Sequence, residues 1–306
     1  MRLVFAGTPR VAADTLTHLL ADGRHEVVAV LTRPDAPQGR SSRPVPSPVA
    51  QLAAERGIEV LRPARPSDPR LASRLAELAP DCCPVVAYGG LIPRSLLDLP
   101  RHGWVNVHFS LLPRWRGAAP VQHAILAGDD TTGVTVFQLV EDLDAGPVLA
   151  TATYLLDQEQ TAGDALAALQ VLGARALVST LDGLAAGTVT AVPQPEDGVT
   201  LAPKLTAQGA RIDWSRAAVE ISRQVRANNP SPIAWTVLDG ERLRVLFAVP
   251  AEGEPLPAAE LRVDKHSAVV GTGSGLLELV MVQPAGGRAT AAADWGRGLR
   301  GTGRFQ

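Results

Sequence analysis

Residues 104–117 read W-V-N-V-H-F-S-L-L-P-R-W-R-G, a short apolar strand that runs directly into a polar turn. Successive side chains of a strand alternate between its two faces, so Asn106 and His108 project to the same side. An amide that donates two hydrogen bonds and an imidazole that moves a proton near neutral pH therefore meet at one strand end. The segment predicts an α/β protein with a site at that end.

Strands and helices alternate on both sides of this stretch. The alternation predicts a Rossmann-like, doubly wound, mostly parallel sheet, whose ligand crevice lies at the carboxyl ends of its strands. Asn106, His108 and the loop residue Asp144 are all expected at such ends. The other predicted strands are 2–6, 26–31, 58–61, 82–87, 133–140 and 151–156.

Two loops depart from ordinary strand-to-helix turns. The first turn contains only Gly7 and no G-x-G-x-x-G, which argues against a nicotinamide-dependent dehydrogenase. Residues 32–48 contain Arg40, Arg43 and five prolines, a segment too long for a usual turn, so we expect a mobile functional loop.

The pattern changes after Lys204. One helix is predicted at 217–226, followed by five short strands with Gly and Pro turns, which favours a small OB-like β-barrel domain. The proline-rich segment before it is typical of an extended linker. We therefore predict a catalytic domain at 1–187, a linker at 188–205 and a barrel domain at 206–306.

Composition limits the possible partners and location. The 306 residues include 46% hydrophobic residues and carry a net charge of −2, which alone indicates no polyanionic partner, although residues 283–306 hold four arginines against one acid. No uninterrupted apolar run reaches the roughly eighteen residues that cross a bilayer, and the first residues lack a signal-peptide pattern. We expect a monomeric cytoplasmic protein without a membrane partner.

The polar residues are typical of noncovalent transfer chemistry. Ser110 lies outside any G-x-S-x-G motif, and His108 has no H-x-x-x-H partner, so neither a serine nucleophile nor a metal is expected. The adjacent Cys82 and Cys83 are expected to be small residues of the buried core. Taken alone, His108 fits a hydrogen-bonded core histidine better than a catalytic residue, because lone histidines are common.

Several motifs together resemble one family. The segment N-V-H-F-S-L-L-P-R-W-R-G-A-A-P-V-Q, with L-D-A-G-P downstream, resembles the folate-dependent formyltransferases. Within that superfamily the chain most specifically resembles the methionyl-tRNA formyltransferases, through the motifs F-A-G-T-P, V-A-Y-G-G-L-I-P, A-R-I-D-W and Q-P-A-G. This resemblance extends over essentially the whole chain. It implies formyl transfer from 10-formyltetrahydrofolate to the methionine amino group of initiator methionyl-tRNA.

The same resemblance assigns roles to individual residues. Asn106, His108 and Asp144 would form the catalytic trio, with a near-neutral His108 pKa setting the rate. Arg40 and Arg43 would contact the tRNA, in a loop where Ser41 and Ser42 replace the lysines of many family members. The folate pocket would be lined by Val86, Ala87, Tyr88, Gly89, Ser110, Leu111, Leu112 and Pro113.

Two other functions use the same residues. A formyltransferase that acts on an amino sugar nucleotide or another small amine would share the trio and differ in its acceptor. A noncatalytic tRNA-binding protein would share the fold and bind tRNA without catalysing a transfer. The C-terminal barrel, together with W-R-G-A-A-P and A-R-I-D-W, favours the tRNA enzyme, and the intact trio favours catalysis.

Overall fold

The computed structural model describes residues 1–37, 43–299 and 303–306. The chain divides into two compact units, and each is assembled from separate segments. The first unit comprises Met1–Gly117, Thr131–Leu155 and Ala167–Leu201. The second unit comprises Ala118–Asp130, Leu156–Leu166 and Ala202–Gln306.

Capping residues fix where the early helices begin. The hydroxyl of Ser47 accepts the N–H of Ala50 at 3.1 Å, and Asp68 accepts the N–H of Arg70 at 3.0 Å, each just before a helix that starts with proline. In chain order the elements up to residue 186 are β1 (Arg2–Gly7), α1 (Arg10–Asp22), β2 (Glu26–Leu31), β3 (Ala36–Pro37), β4 (Pro44–Val45), α2 (Pro48–Glu55), β5 (Glu59–Leu61), α3 (Pro69–Leu78), β6 (Cys83–Val86), α4 (Arg94–Leu97), β7 (Trp104–His108), α5 (Pro120–Ala127), β8 (Thr131–Gln138), β9 (Val148–Leu155) and α6 (Ala162–Ala186).

The first unit contains a seven-stranded sheet in the order β5-β2-β1-β6-β7-β8-β9. The five strands from β5 to β7 are parallel, and the strand order reverses between β1 and β6 as in a doubly wound fold. The predicted mostly parallel sheet is confirmed. Strand β8 runs antiparallel to β7, and β9 runs antiparallel to β8, to which a loop without a helix joins it.

This antiparallel pair corrects one expectation. Asp144 does not follow a parallel strand, since Gln138, at the end of β8, lies opposite Val105 near the start of β7. The loop between β8 and β9 has to return along β7 to bring Asp144 close to His108. Gly146 permits this path, because a Cβ there would lie 1.7 Å from the carbonyl oxygen of Gln138.

Buried apolar residues hold β7 in place within the first unit. Trp104, Val105 and Val107 are buried in the strand itself. Gly173 of α6 packs against it so closely that a Cβ would lie 2.9 Å from Cγ1 of Val107. Helix α6 therefore packs directly against the strand that carries Asn106 and His108.

Helix α6 also has the length and apolar composition of a membrane-spanning helix, and among the described helices it is the only one that does. Charged residues interrupt its sequence, so it contains no uninterrupted apolar run of that length. Leu169, Leu177 and Leu181 are fully buried. A core helix of a globular protein meets the same criteria.

The second unit contains an antiparallel sheet in the order β10-β11-β14-β13-β12-β16. All five predicted strands are present, and residues 303–306 connect its two edges: β16 pairs with β12, while the N–H of Gln306 donates to the carbonyl of Val237 in β10 at 2.9 Å. The predicted OB-like barrel is therefore confirmed as a curled sheet. Its elements are α7 (Ala218–Ala227), β10 (Ala234–Leu238), β11 (Glu241–Ala251), β12 (Glu260–Val263), β13 (Ala268–Gly271), β14 (Leu276–Pro284), β15 (Thr290–Ala291), α8 (Ala292–Gly296) and β16 (Gly303–Arg304).

Candidate active site

Strand β7 presents the two polar side chains singled out from the sequence. Asn106 lies opposite Phe137 of β8, and His108 lies opposite Thr135, so the two are separated by one residue and share a face. His108 is 5% exposed, whereas Asn106 is only partly buried. The amide of Asn106 can therefore be reached by a ligand, and the imidazole is largely shielded from water.

The hydrogen bonds of His108 define its tautomer. Its Nε2 lies 2.8 Å from the carbonyl oxygen of Trp115, which can only accept, so Nε2 must carry a hydrogen. In the neutral ring Nδ1 is then unprotonated. This atom lies 3.7 Å from Oδ2 of Asp144, and the ring edge packs against Phe137 at a centroid distance of 6.3 Å.

Burial and charge act on the pKa of His108 in opposite directions. Burial of the ring is the larger effect and lowers the pKa below its usual value of 6.5, while Asp144 and the Trp115 carbonyl partly raise it. The ring is therefore neutral at pH 7. The direction of this shift shows that desolvation outweighs the carboxylate.

Asp144 is held in place by the backbone. It has a φ of 47°, in the left-handed region, and its Oδ2 accepts the N–H of Gly117 at 2.8 Å. Its carbonyl oxygen and that of Gly146 each accept a hydrogen bond from Nε2 of Gln194 at 2.8 Å. The loop that carries the carboxylate is thus fixed at several points.

Gln194 and Thr200 are residues that the sequence analysis missed, since both lie in the segment expected to be a linker. Oε1 of Gln194 accepts from Nε and Nη2 of Arg116 at 3.1 and 2.7 Å. The hydroxyl of Thr200 accepts the N–H of Trp115 at 2.8 Å. These contacts join the segment to the W-R-G turn. No local pattern signals them, although W-R-G itself belongs to the motif that carried the resemblance.

The predicted pocket residues 110–113 form a turn that hydrogen bonds with Thr135 of β8 hold in place. Thr135 donates to the carbonyl of Ser110 at 2.7 Å and accepts the N–H of Leu112 at 3.0 Å. The Ser110 hydroxyl donates to the Arg114 carbonyl at 2.6 Å and is fully buried. Leu111 and Pro113 are partly exposed, so these two side chains form accessible apolar surface in this turn.

The second predicted pocket segment follows β6. Val86 is fully buried, and the exposed Ala87 and Gly89 adopt positive φ values of 46° and 77°. The hydroxyl of Thr8 donates to the Tyr88 carbonyl at 2.8 Å, which ties this turn to the end of β1. Burial raises the pKa of Tyr88. Backbone groups are therefore accessible at the point where the strand order reverses.

The predicted tRNA-binding loop is only partly covered by the structure. Arg40 lies outside the described residues, together with Ser41 and Ser42. Arg43 is exposed and precedes β4, which pairs with β3 in a two-stranded ribbon. In the described ranges no three His, Cys, Asp or Glu side chains are grouped to hold a metal ion.

Comparison with known proteins gives this geometry a family. Residues 1–181 match the formyl transferase family, and residues 204–300 match the formyl transferase C-terminal domain. The chain is 56% identical over 301 residues to the methionyl-tRNA formyltransferase of Streptomyces avermitilis, covering 98% of this chain and 97% of that protein. The chain belongs to the methionyl-tRNA formyltransferase family. The methionyl-tRNA formyltransferase of Nocardioides sp. is 53% identical, with 98% and 96% covered.

Solved structures outside this family share its fold. HypX from Aquifex aeolicus in complex with tetrahydrofolic acid superposes with a TM-score of 0.65 at 19% identity, over 96% of this chain and 46% of that one. The phosphoribosylglycinamide formyltransferase from Bacillus halodurans gives a TM-score of 0.52 at 24% identity, over 60% and 95%. Family membership confirms the resemblance found in the sequence, and with it an enzyme of formyl transfer.

Proposed function

We propose that this chain transfers the formyl group of 10-formyltetrahydrofolate to the α-amino group of methionine on initiator methionyl-tRNA, for translation initiation. The proposal rests on one observation above all: Asn106, His108 and Asp144 converge beside β7 in a chain of this family. His108 Nδ1 and Asp144 Oδ2, 3.7 Å apart, present two proton acceptors to a common space. A reaction that releases a proton from an amine suits that arrangement.

In the proposed reaction the neutral amine attacks the formyl carbon. A carbon–nitrogen bond forms and negative charge develops on the formyl oxygen, and the bond from the formyl carbon to the folate nitrogen then breaks. Asn106 is placed to donate to that oxygen, because its amide is accessible on the face it shares with His108. One donor of this kind typically lowers the barrier by about 3 kcal/mol.

We assign His108 the role of base. Its lowered pKa keeps the ring neutral, so Nδ1 can accept the proton that the amine loses. The proton then lies next to the Asp144 carboxylate, which stabilises the imidazolium. From Nδ1 it passes to the departing folate nitrogen, directly or through water. Protons balance, since the amine loses one and the folate nitrogen gains one.

For the folate we propose the pocket formed by Val86–Gly89 and Ser110–Pro113. The turn after β6 offers backbone groups at Ala87 and Gly89, and the turn after β7 offers the apolar surfaces of Leu111 and Pro113. Thr135 supports the second turn from the core. A flat ring system that needs apolar contact and a few backbone hydrogen bonds suits these two turns.

For the tRNA we propose contacts from Arg40 and Arg43.

Four further predictions stand beside this one. We expect the enzyme to be cytoplasmic, to be monomeric and to have no membrane partner, and we expect the domain bounds 1–187, 188–205 and 206–306. Fractionation of cells and size-exclusion chromatography with light scattering test the first three. Limited proteolysis tests the bounds, and we expect resistance near Gln194 and Thr200 because both bind the W-R-G turn.

The deciding experiment offers three acceptors together: charged initiator methionyl-tRNA, free methionine and an amino sugar nucleotide. With labelled 10-formyltetrahydrofolate we expect label on the charged tRNA alone. Transfer to the sugar nucleotide would reassign the substrate and keep the trio. Binding of tRNA without any transfer would support the noncatalytic alternative.

A further inference from the structure

Thr200, in the predicted linker, binds two successive peptide groups of the W-R-G turn. Its hydroxyl accepts the N–H of Trp115 at 2.8 Å. Its carbonyl oxygen accepts the N–H of Arg116 at 2.9 Å. The turn and the linker also form a parallel bridge between Arg116 and Leu201. One residue of the linker therefore holds two adjacent N–H groups of the turn.

The carbonyl ends of the same two peptide groups are bound as well. The carbonyl of Arg114 accepts from the fully buried hydroxyl of Ser110 at 2.6 Å. The carbonyl of Trp115 accepts from Nε2 of His108 at 2.8 Å. Each peptide group is thus fixed at its carbonyl and at its N–H, and the partner at the N–H end is Thr200 in both cases.

The planarity of the peptide bond connects these two ends. The N–H and the carbonyl of a trans peptide point in opposite directions within one plane, so a partner that fixes the N–H also fixes the direction of the oxygen. The hydrogen bond of the Arg116 N–H thus sets the direction of the Trp115 carbonyl, to which His108 donates. Reversal of this peptide would turn an N–H toward Nε2, and a neutral ring would then have to carry its hydrogen on Nδ1.

The backbone of Trp115 needs such support. Its φ is 63°, in the left-handed region, which is unfavourable for a bulky side chain. Successive N–H groups in a turn of this kind point to one side, where Thr200 receives both of them. A residue in a sparsely populated conformation persists only where its surroundings determine it, so the partners of this turn decide its shape.

We propose that Thr200 is a positioning residue: it orients the Trp115–Arg116 peptide and so keeps the hydrogen of His108 on Nε2, with Nδ1 unprotonated. Thr200 acts through this peptide and is not itself catalytic. The importance of the tautomer for catalysis rests on the function proposed above. The tautomer itself is a property of the folded chain and exists without any substrate.

The predicted linker therefore acts on both proton acceptors of the site. Gln194 donates to the carbonyls of Asp144 and Gly146 and holds the carboxylate, while Thr200 sets the tautomer of the imidazole. In the other tautomer Nδ1 would carry its hydrogen toward Asp144, whose Oδ2 lies 3.7 Å away. That tautomer removes the base from the reaction although the imidazole is still present.

The first test observes the tautomer in the full chain without substrate. In isotope-labelled protein, nitrogen NMR distinguishes the protonated from the unprotonated ring nitrogen at a pH where the ring is neutral. His108 is identified among the six histidines by the signals that disappear in His108→Gln. We expect the hydrogen on Nε2 in wild type and both tautomers in Thr200→Val, which keeps the shape of the side chain and loses the acceptor. Thr200→Ser should keep the wild-type tautomer.

The second test measures formyl transfer under single-turnover conditions. Thr200→Val should lower kcat about tenfold, the scale of one lost hydrogen bond, with KM for folate and for methionyl-tRNA unchanged. Thr200→Ser should restore kcat. In the His108→Ala background Thr200→Val should have no further effect, because residues that act as a unit are not additive.

Thr188→Val is the matched control in the same segment. The Thr188 hydroxyl donates to the carbonyl of Gly183 at 3.3 Å, so this variant loses a threonine hydrogen bond that does not involve the turn. Its kcat and its His108 tautomer should equal those of wild type. Melting temperature verifies that every variant is folded.

Three results would overturn the proposal: hydrogen on Nδ1 of His108 in wild type, an unchanged tautomer and kcat in Thr200→Val, or a tenfold decrease that persists in the His108→Ala background. The outcome is separable from that of the acceptor assay. Wild-type enzyme that formylates another amine removes the proposed function, while a changed tautomer in Thr200→Val still supports the positioning role. Wild-type enzyme that formylates methionyl-tRNA upholds the proposed function even where Thr200→Val keeps the wild-type tautomer.

Discussion

The surroundings of His108 and those of Trp235 use polar groups in opposite ways. Around His108 the side chains and the turns are tied to one another: the ring donates to Trp115, Gly117 donates to Asp144, and Gln194 joins the 144–146 loop to Arg116. Around Trp235 of the barrel sheet, Arg211, Arg242 and Arg244 are oriented by the indole ring or by Gln283 and have no carboxylate partner in the described structure. The difference teaches that the proposed catalytic residues are held by hydrogen bonds inside the protein, whereas the exposed arginines around Trp235 keep a charge that no described carboxylate compensates.

The largest effect is expected at the centre of the fixed region. His108→Ala should lower kcat by about 10²–10⁴-fold, the typical contribution of a general base, with little change in KM for methionyl-tRNA. Single-turnover formylation measures this directly. A decrease of less than about tenfold would show that the proton leaves by another route. The hydrogen bonds around His108 would then serve stability only.

Asp144→Asn tests whether the carboxylate charge matters beyond its hydrogen bond. The amide oxygen can still accept from Gly117, so the loop should keep its shape while the imidazolium loses its counter-charge. We expect kcat to fall about a hundredfold. Asp144 raises the His108 pKa, so the acid limb of the rate profile should move to lower pH. An unmoved limb with full activity would contradict the assignment of the base.

Substitution of Gln194 tests whether its hydrogen bonds to the carbonyls of Asp144 and Gly146 position the loop that carries Asp144. Gln194→Ala leaves the carbonyls of Asp144 and Gly146 without their donor, and we expect about a tenfold decrease in kcat/KM. Gln194→Glu is the matched variant, because it still accepts from Arg116 and cannot donate. Equal decreases in both would identify donation to the loop as the cause; activity retained in Gln194→Glu would assign the effect to Arg116.

The smallest effect concerns stability and pH. The folded state holds His108 with a pKa below its unfolded value of about 6.5, so the unfolded chain binds the proton first as pH falls. Stability should therefore be fully present above pH 6.5 and decrease below it, by at most about 1.4 kcal/mol per pH unit, until the folded pKa is reached. Urea unfolding of wild type and His108→Gln between pH 7 and 5 measures the difference, and parallel curves would contradict it.

The sequence predicted what depends on local pattern. The short strand that opens at Trp104 was predicted, and the five barrel strands were all found. Short elements such as α8 and β16 were missed, because two to five residues carry no period. The antiparallel direction of β8 was also missed, because a helix lies between β7 and β8 as in a parallel crossover.

The site was predictable only in part. His108 and Asp144 lie 3.7 Å apart and Asn106 shares a face of β7 with His108. The residues that hold the surrounding turns come from far along the chain: Thr200 binds Trp115 across 85 residues and Gln194 binds Arg116 across 78. Proline and glycine around Gln194 indicate an extended backbone and say nothing about what it contacts. The lowered pKa of His108 likewise follows from burial by the folded core, which no residue spacing records.

The unprotonated Nδ1 of His108 has a consequence for inhibitor design. In a catalytic serine triad the carboxylate accepts the Nδ1 hydrogen, whereas here two acceptors, Nδ1 and Asp144 Oδ2, face each other across 3.7 Å. An inhibitor that places a protonated amine between them satisfies both at once and gains the full charge of Asp144. We expect such cationic compounds to bind this pocket more tightly than neutral isosteres of the same shape, and to lose that advantage in Asp144→Asn.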